Sequence, residues 1–133
     1  MIIMAIMMYA GDPKEGEKVY APFKALAKPL AYTIKPMRYK DFFFPDDPSY
    51  HPTAVSRNMM MDHVDREHAE KIIVKLKASD AKMRVVQLRT LGGAMAEVKE
   101  TATAYAHRQS KIMVNVAAFY ESEEDKVMRS EWV

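Results

Sequence analysis

The chain has 133 residues, enough for one hydrophobic core, and its lack of cysteine excludes disulfides, thiolate zinc sites and cysteine nucleophiles. Apolar residues make up 49% and the formal net charge is +2, so no strong electrostatic pull toward nucleic acid or a membrane surface is expected. The chain is read as a single unit spanning 1–133, with the cytoplasm as its default compartment.

Ile2 to Tyr9 is apolar throughout, too short to cross a bilayer, and reads as a strand covered on both faces. Asp12-Pro13-Lys14-Glu15 then opens a helix, with Asp as N-cap and Pro in the first turn. That helix is expected to bury Gly16, Val19, Tyr20, Phe23 and Leu26, and Pro22 is expected to kink or end it. Alternation places a second strand over about Leu30 to Met37. Asp41-Phe42-Phe43-Phe44-Pro45 reads as an aromatic plug beneath a loop, or else as the wall of a pocket. A proline-rich loop through Asp46, Asp47 and His51 leads to a third strand from Thr53 to about Met60.

Asp62 to Ser79 carries a helical stripe of Val64, Ala69, Ile72, Ile73 and Leu76, with acids in its first turn and lysines in its last. His63 and His68 lie five apart, a spacing that does not share a helical face, so they read as solvated and no metal site is expected. Met83 to Leu91 and Ser110 to Tyr120 alternate as strands. Each has one apolar face, expected to pack on helices, and one mixed face. Ser122 with Asp125 three residues later forms a capping box for a last helix that reaches Trp132. The fold class is therefore α+β: an antiparallel sheet of about five strands with helices on one face, a ferredoxin-like two-layer sandwich.

The mixed faces carry Gln87, Arg89 and Asn115 among Met113, Ala117 and Phe119. Apolar area with a few orienting polar groups suits a flat heteroaromatic or oxygenated ligand. Gly92 and Gly93 end the first of the two strands, where the backbone needs positive φ or close approach by something large. No dinucleotide fingerprint, phosphate loop, nucleophile elbow or metal motif is present in these residues.

The phrase Leu91-Gly92-Gly93-Ala94, followed by Thr103-Ala104-Tyr105-Ala106-His107-Arg108 and an apolar strand, resembles the berberine bridge enzyme-like FAD-linked oxidases. The resemblance extends to Tyr9-Ala10-Gly11-Asp12-Pro13-Lys14-Glu15-Gly16-Glu17, Tyr120 and Trp132, so it spans nearly the whole chain. It implies the family's substrate-binding domain without its FAD-binding domain or closing segment, a stand-alone or truncated unit inactive as an oxidase by itself. It also implies that the mixed face covers a flavin ring, that Tyr50 and Arg57 lie near the substrate, and that Asn115 matches a polar residue on the last strand.

An amide is no base near neutral pH, so Asn115 would orient a substrate rather than take its proton, and the catalytic residues stay unassigned. His107 and Arg108 are expected to be structural, hydrogen-bonding backbone carbonyls to hold the link before the last strand. FAD is the family's cofactor, and this chain alone is expected not to bind it. The expected partner is either a separate FAD-binding subunit or a second copy of the chain. The latter belongs to the other reading, a homodimeric ferredoxin-like module that handles a small hydrophobic molecule without flavin.

Overall fold

A computed structural model describes residues 1–43 and 47–133, which fall into two compact units, Met1–Asp47 and Pro48–Val133. Phe44, Pro45 and Asp46, part of the expected aromatic plug and acidic loop, lie outside the described residues.

In the first unit, α1 spans Pro13–Ala25, and the Asp12 carboxylate accepts the Lys14 N–H at 2.8 Å as its N-cap. The helix does not end at Pro22 but runs on to Ala25. Gly16 and Tyr20 are its buried residues, whereas Val19, Phe23 and Leu26 are exposed, contrary to the expected apolar stripe. Gly16 serves close approach: a Cβ there would lie 3.1 Å from the Tyr9 ring.

Ile2–Tyr9 and Leu30–Met37 enter no sheet, so the expected five strands are three among the described residues. Ile3 is 88% and Leu30 91% exposed. An apolar run reports that a segment gains by burial, but a strand exists only where a neighbour takes its N–H and C=O groups. Proline at 29 and 36 removes donors at both ends of the second segment. After it, a 3-10 turn at Tyr39–Phe42 sets the Phe43 ring edge-on to Tyr39 and Phe42, with Phe43 exposed rather than plugging a core.

The second unit contains β1 (Thr53–Met61), α2 (Arg66–Ala78), β2 (Arg84–Thr90), the short α3 (Ala94–Glu97), β3 (Ile112–Tyr120) and α4 (Glu123–Trp132). The sheet order is β1-β3-β2 and both pairings are antiparallel. Consequently β1 and β2 run parallel to each other, joined by the crossover helix α2, with β3 inserted between them. The fold class is α+β, as the sequence indicates.

Both long helices of this unit lie on one face of the sheet. α4 packs on β3 and β1, and α2 on β2. The Trp132 indole N–H donates to the Lys75 carbonyl at 3.0 Å, tying α4 to α2. Beneath them Val114, Val116 and Ala118 of β3 form the buried core. The register sets Val86 and Leu88 beside Val116 and Val114, so the apolar alternation read from the sequence is the helix-bearing face.

Local capping fixes where these helices start. Ser122 accepts the Asp125 N–H at 3.1 Å, while Asp125 in turn accepts the Glu121 N–H at 3.2 Å. Asp65 caps α2 by accepting the His68 N–H at 2.9 Å. That backbone hydrogen bond, followed by a second from the His68 ring, holds the Asp65 carboxyl below its usual range.

The β2–β3 link begins at Gly92, φ 136°, and Gly93, φ 58° and ψ −142°. An added Cβ would meet nothing within 4 Å at either position. Glycine is therefore required here by backbone conformation and not by crowding. Gly93→Ala is expected to destabilise the fold by about 2 kcal/mol in urea unfolding, although the space around it is open. An unchanged unfolding midpoint would overturn that conformation.

Candidate functional site

The sheet face opposite α2 and α4 is built by the odd-numbered residues of β2 and β3 and the even-numbered ones of β1. The pairing Asn58↔Asn115↔Gln87 draws a row of three amides straight across the sheet. Asn115 donates from Nδ2 to Asn58 Oδ1 at 2.8 Å, and Arg89 donates to Gln87 Oε1 at 2.7 Å. Each bond locks a rotamer and leaves further groups for a ligand: the amide N–H groups of Gln87 and Asn58, the remaining guanidinium donors of Arg89, and the carbonyl oxygen of Asn115.

Apolar side chains flank the row on both sides. Met60 and Met113 pair on one side, with Arg89 as the third member of their rung. On the other, Ala117 lies between Ser56 and Val85, and Phe119 is paired with Ala54. Gln87 and Arg89 are exposed, Asn115 and Phe119 half-buried, and Ala117 buried. A methyl group ringed by taller neighbours is shielded within the plane of the sheet. The structure thus brings Gln87, Arg89, Asn115, Ala117 and Phe119 onto one face, while Gly92 and Gly93 follow the end of β2.

Asn58 was not singled out by the sequence, because no periodicity identifies a cross-strand partner; only the antiparallel register of β1 on β3 does. Arg57 faces the other way, paired with Val116 on the helix side, where it lines a groove of about 500 Å3 with Glu123, Lys126 and Glu131. That groove is wide open, and its Lys126 and Glu123 pair with each other at 3.0 Å. Glu123 also holds the Lys126 ammonium above its usual range.

Arg108 is buried and ties the β2–β3 link together, donating to the Met95 carbonyl at 3.1 Å and to Thr103 Oγ1 at 2.6 Å. Its guanidinium also lies over the Tyr105 ring, which meets His107 edge-on. His107 itself is exposed.

The donor set suits one part of a flavin and not another. An isoalloxazine ring offers a flat apolar face with a carbonyl- and N–H-bearing edge, matching a methionine- and alanine-lined surface crossed by amides. A pyrophosphate asks for a helix N-terminus behind a glycine-rich loop, and the Gly92-Gly93 turn leads only into the four-residue α3. The face thus carries the kinds of group a flat ring would need, and the turn at Gly92-Gly93 does not lead into a long helix.

His63 and His68 do not share one helix, contrary to the expectation from their spacing: α2 begins only at Arg66, and His63 lies before the cap. Their rings meet edge-on with centroids 5.7 Å apart. No helix of the described residues is long and apolar enough to cross a membrane. No family profile and no curated protein matches the chain.

Proposed function

We propose that the chain is a substrate-binding unit of a FAD-linked oxidoreductase resembling the berberine bridge enzyme-like oxidases. Its sheet face opposite α2 and α4 meets the flavin ring and orients the substrate, and the nucleotide is held by a separate FAD-binding unit. The observation that carries this reading is the Asn58–Asn115–Gln87 row, locked by internal hydrogen bonds on an apolar ground. A bound flavin would supply the hydride acceptance that no side chain offers. The residues of this chain bind and position: Asn115 and Gln87 present amides to polar edges, and Met113, Ala117 and Phe119 supply flat apolar contact. None of these residues is a general base, so the chain alone is inactive as an oxidase. In the same reading the sheet is the core of a ferredoxin-like sandwich, supported by the parallel pair β1 and β2 around an antiparallel β3.

The test is a titration of the purified chain with lumiflavin and with FAD, followed by flavin fluorescence, with light scattering on the same samples. The chain alone is expected to hold neither tightly, and to bind the ring about as well as the whole cofactor, since only the ring has partners here. Asn115→Ala and Gln87→Ala are each expected to weaken ring binding at least about fivefold, with Tm unchanged to within about 2 °C. A stable dimer that binds neither ligand would overturn this reading and favour a self-associating module whose face is occupied by a second copy.

A further inference from the structure

We propose that His63, Asp65 and His68 form a binding site for a first-row divalent metal ion, with zinc as the reference ion, at the turn between β1 and α2. One ligand atom from each of the three residues lies within 4.8 Å of the others. In a tetrahedral zinc site, neighbouring ligand atoms stand about 3.3 Å apart. The closure needed is thus about 1.5 Å at most, within reach of χ rotations of side chains that are not buried. His63 is exposed, and the His68 and Asp65 side chains are 38% and 51% exposed, so an ion would keep water in its remaining positions.

The local chemistry favours this assembly. Asp65 is pinned as the N-cap of α2, with Oδ1 accepting the His68 N–H at 2.9 Å and lying 2.7 Å from the ring Nδ1. In the tautomer that carries hydrogen on Nε2, His68 turns a bare Nδ1 toward this carboxylate, so an ion seated between them would take the ring nitrogen and a carboxylate oxygen together. His63 completes the set from the loop side of the cap, held edge-on against His68. The α2 dipole opposes a cation at this end, but only weakly at an exposed site, and two imidazoles with a carboxylate outweigh it. Imidazole ligands select zinc, cobalt, nickel or copper over magnesium and calcium. Three protein ligands leave an open position, and the bound ion would staple the end of β1 to the start of α2.

The test is calorimetric titration of the full chain with Zn2+, with Co2+ visible absorption as a second readout. Saturable one-to-one binding is expected, undisturbed by excess Mg2+. His63→Ala, His68→Gln and Asp65→Asn are each expected to weaken it at least about tenfold. Asp65→Asn separates ligation from folding, because asparagine caps a helix as well as aspartate does. Its Tm should stay near that of the parent chain while Zn2+ affinity falls. His51→Ala and His107→Ala, which change the other two of the four histidines, should leave the titration unaltered. Absence of saturable binding below millimolar Zn2+ would overturn the site. So would binding that survives in His63→Ala and His68→Gln.

Discussion

Arg129→Met is expected to lower the melting temperature by roughly 5–10 °C. Arg129 sits in the last turn of α4, yet its side chain is only 10% exposed. One guanidinium nitrogen donates to Asp80 in the α2–β2 turn, and the other reaches Asp125 at 2.6 Å one turn earlier on α4. A single side chain thus fastens the last helix to the turn that carries the buried residues Ser79 and Ala81. Methionine keeps the volume and removes both bridges. Arg129→Lys should recover part of the loss, since one ammonium cannot span two carboxylates with the same fork.

The pH dependence gives a second readout. The hydrogen bond from Arg129, followed by one from its own backbone, holds the Asp80 carboxyl below its ordinary value near 3.8. A depressed carboxylate contributes stability that is present above the ordinary value and lost as pH falls through the folded one. The difference in Tm between the parent chain and Arg129→Met should therefore narrow between about pH 5 and pH 2. A difference that stays constant over that window would mean that packing, and not the ion pairs, carries the effect.

Arg129 also illustrates what a linear pattern conceals. In the sequence it is a basic residue near a helix end, where the helix dipole already explains it. Its anchoring role depends on Asp80, which is 49 positions away. Features set by near neighbours were legible: the Asp12-Pro13 start of α1, the Ser122–Asp125 box of α4, and the two-residue period that sorts residues 84–90 and 112–120 onto two faces. The mixed face was legible for the same reason, since a period of two assigns faces without any knowledge of register.

Features set by a distant partner were not legible. Ile2 to Tyr9 has the apolarity of a strand but no strand neighbour among the described residues. Asn58 becomes part of the amide row only through its pairing with Asn115. The His63–His68 contact depends on the helix starting at Arg66 rather than at Asp62, capped by Asp65, whose side chain accepts the His68 N–H. A boundary shift of a few residues took His63 off the helix and brought its ring edge-on to that of His68.

Leucine at 118 and at 117 should separate sharply in cost, although the two alanines are adjacent on β3 and both buried. Ala118 is fully buried on the helix side, between Val55 and Arg84. Arg84 is itself committed, donating to the carbonyls of Leu76 and Ala81 at 2.8 and 2.6 Å. Three extra carbons there must displace a helix or break those bonds, so Ala118→Leu is expected to cost about 2–3 kcal/mol in urea unfolding. Ala117 points to the other face, where no helix of its own unit packs, and Ala117→Leu is expected to cost under about 0.5 kcal/mol. The same leucine would stand up beside Asn115 and weaken the flavin-ring binding proposed for this face, so the cheaper substitution for folding should be the more costly one for that ligand. Equal stability losses would show that the face carrying Asn58, Gln87 and Asn115 is covered in solution, and a covered face cannot meet a flavin.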